Sequence, residues 1–227
     1  TDEDFKKQAI IIANHTSFLD TLTIGMCTAN IVFLVNDWVY KSPIFGRAVK
    51  MAGFFPVSSG VENHVEEIRK RIGNDFSLMI FPEGTRSKSN QINRFHKGAF
   101  YLAEQLQLDI LPIYIHGNSE IIPKNDFNIF SGHIYAIIGE RIAWNDEKYG
   151  QTYSERTKKI SRAYKAKFQE LRLKYEDENY FKQKLFLSYL YKETNVIQQV
   201  KLDFNQHNIL YWKLNQQIGQ SARILHY

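Results

Sequence analysis

The feature that most constrains this chain is a series of short, almost wholly apolar runs set between longer stretches with helical spacing. Gln8–Ala13 holds Ile10, Ile11 and Ile12 in succession, and Ile31–Val35, Phe54–Val57, Phe76–Phe81, Ile110–Ile115 and Ile134–Ile138 follow the same pattern. A strand covered on both faces has no reason to alternate polar with apolar, so such runs point to buried, largely parallel strands. Between them, Ser17–Ala29 reads as a helix with Leu19, Leu22, Ile24 and Met26 as its apolar positions, and Val61–Ile72 as one with Val65, Ile68 and Ile72 on one face. Pro43–Ala52 reads as a helix with Ser42 as N-cap and Pro43 in its first position, and Lys97–Leu106 completes the set. The alternation predicts an α/β fold with a mostly parallel central sheet flanked by helices. From about Thr152 onward the pattern is helical only, without internal repeat. Two parts are therefore expected: an α/β domain over 1–150 and an all-helical C-terminal appendage, extension or linker over 151–227.

Composition narrows the function classes. With 227 residues, 44% apolar and 23% charged, the chain can bury an ordinary core, and wholesale disorder is excluded. Its single cysteine, Cys27, excludes a disulfide framework or multi-Cys metal site, and its helical apolar setting predicts a core position. No run approaches the ~18 consecutive apolar residues of a membrane span. The chain opens on Thr1 with no visible signal peptide, so a segment of a longer protein is expected. His64, His96, His116, His133, His207 and His226 are scattered without metal-ligand spacing, and there is no P-loop or dinucleotide Gly fingerprint. No metal and no cofactor are expected.

Charge is unevenly placed. Residues 1–150 carry 15 Lys and Arg against 17 Asp and Glu, a net of −2; residues 151–227 carry 14 against 7, a net of +7, which together make the +5 of the chain. Arg156, Lys158, Lys159, Arg162, Lys165, Lys167, Arg172 and Lys174 crowd around an apolar stripe of Ile160, Tyr164, Phe168, Leu171 and Tyr175. Two readings stand: a helix whose stripe caps the sheet while its charges are solvated, or a surface for anionic lipid headgroups or an acidic carrier protein. Nucleic acid is not expected as a partner, since no nucleic-acid motif accompanies the charge.

Two short segments carry the candidate chemistry. In Asn14-His15-Thr16-Ser17-Phe18-Leu19-Asp20, His15 follows a strand and Asp20 comes five residues later. On one continuous helix they would not share a face. If the chain turns after His15 and enters a helix near Ser17, Asp20 lies in the first turn and reaches back to the imidazole, which makes His15 a general base with a fixed tautomer. Alternatively Ser17 and Asp20 form a capping box with Asp in place of Glu, and His15 is a loop histidine. The second segment, Phe81-Pro82-Glu83-Gly84-Thr85-Arg86-Ser87, ends an apolar strand where open α/β sheets bind ligands. Gly84 permits close backbone approach, and Arg86 offers a fork suited to phosphate.

Together these segments resemble the glycerolipid acyltransferase family, which includes lysophosphatidic acid acyltransferases. The family's Asn-His-x-Ser-x-x-Asp block is intact at residues 14–20, and its Phe-Pro-Glu-Gly-Thr-Arg-Ser block at residues 81–87. Its downstream Lys-Gly appears as Lys97-Gly98, and its apolar run around a proline as Ile110-Leu111-Pro112-Ile113. The resemblance covers roughly residues 8–140. One block departs: Gly53-Phe54-Phe55-Pro56-Val57-Ser58-Ser59 ends in Ser59 where the family has Arg. An acceptor other than a standard lysophosphatidate is therefore open, with Arg47, Arg86 or Lys97 available to supply the charge.

The resemblance implies an O-acyltransferase. His15 would deprotonate the hydroxyl of a lysophospholipid-like acceptor, which attacks the thioester of an acyl-CoA or acyl-carrier protein, while Asp20 orients His15. Asn14, Ser17, Glu83, Gly84, Thr85, Arg86 and Lys97 would bind substrate. No covalent acyl-enzyme is required, and no Gly-x-Ser-x-Gly elbow is present to form one. The expected partners are the acyl donor, a lipid acceptor and a membrane surface, with the protein peripheral on the cytoplasmic face. Two rivals are a lipid- or carrier-binding module without turnover, and a hydrolase that turns the same pair on water.

The tail is too apolar to float free: Phe186, Tyr189, Leu190, Val196, Val200, Phe204, Leu210 and Trp212 recur at helical spacing, and the Tyr180–Tyr191 run suits helix packing. It resembles the linker of large bacterial fusions that join such a domain to a membrane exporter and a methyltransferase domain, with Ala222-Arg223-Ile224-Leu225 opening the next domain's first strand. An autonomous helical cap is the alternative.

Overall fold

A computed structural model describes residues 3–181 of the chain apart from 44, 45, 52, 58, 59, 88–90, 123–128 and 178. The expectations for the tail beyond residue 181, for Ser59 and for residues 44, 45 and 52 of the Pro43–Ala52 helix fall outside the described residues, while Pro43 lies in a turn ahead of a helix at Gly46–Met51. The chain divides into two compact units, Thr1–Lys165 and Ala166–Tyr227.

The first unit is built on a six-stranded sheet. Its strands are β1 (Ile10–Ala13), β2 (Ile31–Asn36), β3 (Phe55–Val57), β4 (Ser77–Ile80), β5 (Ile110–His116) and β6 (Tyr135–Ile138), in the spatial order β3-β2-β4-β1-β5-β6. All neighbours are parallel except β5 and β6, so the mostly parallel sheet expected from the apolar runs is present. Ile10, Ile11, Ile12, Leu78, Met79, Ile110 and Leu111 are wholly buried on the three central strands. Burial of such a side chain stabilises by about 1.5–3 kcal/mol. This explains why the central strands carry unbroken apolar sequence.

The helices are α1 (Leu19–Cys27), α2 (Asp37–Tyr40), α3 (Gly46–Met51), α4 (Val65–Ile72), α5 (Gly98–Leu106), α6 (Asn118–Ile121) and α7 (Tyr153–Tyr175). The short α2 and α6 escape helical periodicity, because four residues span little more than one turn. α1 differs from expectation in which face it buries. Ile24 is buried, but Leu22 and Met26 are 56% and 88% exposed and share the outer face with Phe18 at 51%. Cys27, expected in the core, is only half-buried at the helix end, where its thiol donates to the Thr23 carbonyl at 3.4 Å and burial pushes it up.

The division between these units falls within α7. In the first unit the apolar stripe of α7 buries Ile160 and Tyr164. Arg156, counted in the basic stretch, is also buried and pairs with Glu104 at 2.6 Å. Lys158, Lys159, Arg162 and Lys165 are exposed. In the second unit Phe168 and Leu171 are buried, and Arg172 forms a bidentate pair with Glu176 at 2.8 Å through both contacts. Arg156 and Arg172 thus belong to internal ion pairs rather than to a basic surface.

Candidate active site

Parallel register sets the site's position. Ile12 of β1 lies beside Ile80 of β4, and Ala13 beside Ile113 of β5. The carboxyl ends of three adjacent strands therefore release residues 14–20, 81–87 and 117–122 into one region, the edge where open α/β sheets hold ligands.

The chain turns after His15 and enters α1, so Asp20 reaches back. Asp20 Oδ2 lies 2.9 Å from His15 Nδ1 and also accepts the backbone N–H groups of Thr16 at 2.6 Å and Ser17 at 2.8 Å. The two sequence readings coexist in one oxygen: the same atom that holds the imidazole makes half of a capping box. The other half differs, since Phe18 takes the cap position and Ser17 Oγ accepts from Leu19 N–H at 3.3 Å. Asp20 is 0% exposed, whereas the His15 side chain keeps 19% exposure. A carboxylate accepts at Nδ1, so the ring proton sits there and Nε2 carries the lone pair. Among the described residues nothing bonds to Nε2. The imidazole stacks on Phe81, with ring centroids 4.0 Å apart and planes 13° from parallel.

The second segment is stitched to the first through the His15 backbone. Glu83 Oε1 accepts the His15 N–H at 2.8 Å, and the Ser87 N–H donates to the His15 carbonyl at 2.7 Å. Glu83 Oε2 accepts the Asn93 N–H at 2.7 Å. Burial pushes the Glu83 carboxyl up, against the opposing pull of those two N–H groups.

The sequence-predicted site residues separate into two sets. Gly84 and Thr85 are exposed, Arg86 is half-buried, and Lys97 is exposed at the start of α5. Gly84 takes φ +69°, a conformation that favours glycine. Asn14, Ser17 and Glu83 are instead buried. Asn14 brackets β5: its amide donates to the Ile115 carbonyl at 2.8 Å and its oxygen accepts the Ile115 N–H at 2.9 Å. Ser17 Oγ donates to the Ile122 carbonyl at 2.8 Å. Each of the three uses its polar atoms on backbone groups, so together they frame the site.

Three supporting residues escaped sequence reasoning. Tyr164 Oη accepts the Asn14 N–H at 2.9 Å and lies 2.7 Å from the Ile113 carbonyl. Burial holds its phenol well above the ordinary range. Asn118 donates to Asp20 Oδ1 at 2.8 Å, and Phe81 supplies the stacking face. Of these, only Phe81 lies inside a motif.

A mostly parallel sheet thus carries a His–Asp pair at its carboxyl edge, clamped by a Pro-Glu-Gly-Thr-Arg turn. The chain belongs to the acyltransferase family, whose model matches residues 1–116. It is 31% identical over 139 residues to a chloroplastic 1-acyl-sn-glycerol-3-phosphate acyltransferase of Arabidopsis thaliana, across 59% of this chain and 39% of that protein. It is 23% identical over 168 residues to a 1-acyl-sn-glycerol-3-phosphate acyltransferase of Helicobacter pylori, across 71% of this chain and 70% of that one. The crystal structure of the 1-acyl-sn-glycerophosphate acyltransferase PlsC from Thermotoga maritima has the same fold, with a TM-score of 0.62 at 23% identity over 75% of this chain and 68% of that chain. The chain spans about two fifths of the length of the chloroplastic relatives of Arabidopsis thaliana and Brassica napus that it matches.

Proposed function

We propose that this chain carries out O-acyl transfer to a hydroxyl of a glycerophosphate-type acceptor. The reading rests on the contact between His15 Nδ1 and the buried Asp20, with nothing bonded to Nε2 among the described residues. Nε2 takes the acceptor's proton as its oxygen attacks the thioester carbonyl of an acyl-CoA or acyl-carrier protein. The carbon–oxygen bond forms, the carbon–sulfur bond breaks, and the imidazolium returns its proton to the departing thiolate. Asp20 holds the ring and offsets the charge that develops on it. General-base action contributes about 10²–10⁴-fold, and positioning adds to it. Arg86, half-buried, and Lys97, exposed, receive the acceptor's phosphate, and Gly84 lets the backbone approach it.

The outward apolar face of α1 supports action at a membrane surface. Phe18, Leu22 and Met26 follow one another at four-residue spacing, adjacent in sequence to His15. No helix among the described residues is long and apolar enough to cross a membrane, and a peripheral attachment through this face accords with that.

The test is incubation with labelled acyl-CoA, with and without lysolipid. Acceptor-dependent product supports transfer. Acceptor-independent free acid reassigns the pair to hydrolysis, and binding without turnover reassigns the chain to a lipid-binding module. His15→Ala must abolish product while sparing the fold; unchanged activity refutes the base assignment.

A further inference from the structure

The Asp20 carboxylate has two oxygens, and the local motif occupies only one of them. Oδ2 takes the His15 ring and the two backbone N–H groups. Oδ1 takes the side-chain amide of Asn118 at 2.8 Å, from the far end of β5 and 98 positions along the chain. The same amide nitrogen donates to Thr23 Oγ1 at 3.0 Å. Thr23 donates its own proton to the Leu19 carbonyl at 2.9 Å, so it turns a lone pair toward Asn118. Both neighbours of the amide nitrogen are acceptors, which fixes which end of the amide faces Asp20. Asn118 is fully buried, and its Oδ1 has no hydrogen-bond partner among the described residues. An amide held with its oxygen bare, when turning it would set that oxygen against two acceptors, is oriented by what its nitrogen does.

We infer that Asn118 is the positioning residue of the His15–Asp20 pair, fixing the Asp20 carboxylate through Oδ1 so that Oδ2 stays aimed at Nδ1. This rests on the general-base reading of His15. Backbone geometry prepares Asn118 for the task. Gly117 takes φ +97°, and a Cβ there would collide with the His133 carbonyl oxygen, so the turn that delivers Asn118 requires glycine. Ser17 Oγ, bonded to the Ile122 carbonyl, ties the other end of α6 to the start of α1. The acid of the pair is thus held from two strands: by its own motif after β1 and by α6 after β5.

The chemistry provides a reciprocal test. Asp20→Asn sets two amide NH₂ groups face to face, or turns one toward the imidazole and imposes the wrong tautomer. Asn118→Asp sets two carboxylates face to face. The double variant Asp20→Asn/Asn118→Asp restores one donor and one acceptor across the same gap. We expect Asn118→Asp to lower kcat about tenfold or more, with KM for acyl-CoA and lysolipid within about twofold. Asn118→Ser, which keeps a donor, should fall in between. The double variant should recover melting temperature relative to both singles and kcat relative to Asp20→Asn. Additive losses in the double variant, or wild-type kcat in Asn118→Asp alongside an inactive His15→Ala, overturn the inference.

A readout independent of turnover separates this from the functional reading. The His15 Nδ1 proton should give a low-field proton resonance, assigned by its loss in His15→Ala. It should broaden or vanish in Asn118→Asp and return in the double variant. If wild type is inactive with acyl-CoA while this pattern holds, the transferase reading fails and the positioning role stands. If the resonance is indifferent to Asn118, the positioning role fails.

Discussion

Glu83 reaches across from the end of β4 to accept the backbone N–H of His15 at 2.8 Å, so the second motif holds the first in place. Its other oxygen accepts the Asn93 N–H at 2.7 Å. A carboxylate can serve two such donors at once, one on each oxygen, and an amide cannot.

Glu83→Gln should therefore leave one buried N–H facing an NH₂ group, which a carboxyl avoids in either protonation state because its hydroxyl oxygen still accepts, and destabilise by about 1–3 kcal/mol. The pH dependence has a definite sign. The folded-state value of this carboxyl is raised from 4.5, so the folded protein binds its proton more tightly than the unfolded chain. Its contribution is greatest in acid and declines as pH rises from 4.5 through the raised value. Melting curves across that range should show the wild-type advantage over Glu83→Gln largest at the acid end. An advantage that grows with pH contradicts the assignment.

Tyr164→Phe removes a hydroxyl that bonds the backbone of both β1's exit and β5. The Asn14 N–H is left buried without this acceptor, at a cost of about 1–3 kcal/mol. Thermal unfolding measures it. Because Asn14 directly precedes His15, kcat should fall as well, while the shape of the helix signal in circular dichroism is preserved.

Gly117→Ala combines a positive φ with a Cβ directed at the His133 carbonyl. Relief requires the turn to open. The expected loss exceeds the ~1 kcal/mol of a simple glycine replacement in an unsuitable conformation, and activity should drop further than stability, since the same turn delivers Asn118. Activity unaffected at a temperature where the variant is folded counts against the link between α6 and the pair.

Leu22→Glu and Met26→Glu alter a helix face that is already exposed, so stability should change by no more than about 0.5 kcal/mol. Sedimentation with anionic phospholipid vesicles should show weaker binding for each variant than for wild type. Equal binding disproves the assignment of this face to the membrane.

The sheet was legible because its strands advertise burial residue by residue. Gln8–Ala13, Phe76–Phe81 and Ile110–Ile115 lie over β1, β4 and β5, with differences only at the ends. The His15–Asp20 contact was legible as one of two alternatives because both residues belong to one turn, where spacing constrains geometry. The outward face of α1 was not, since an apolar residue reads alike whether it meets a core or a lipid. Nor was the sealing of Asn14, Ser17 and Glu83. Each makes its contacts across strands, with partners such as Ile115, Ile122 and Asn93 that carry no local signal. Asn118 lies beyond every motif for the same reason: only the parallel register of β1 against β5 brings it to Asp20.

His15 is grasped on its N–H by Glu83 and on its carbonyl by Ser87. Neither segment can drift without dragging the other, so the imidazole is set in place as the polypeptide folds. Transplanting the His-x₄-Asp segment alone into another α/β scaffold would leave the ring swinging on an unbraced loop; a functional graft would need both strand ends as a single piece.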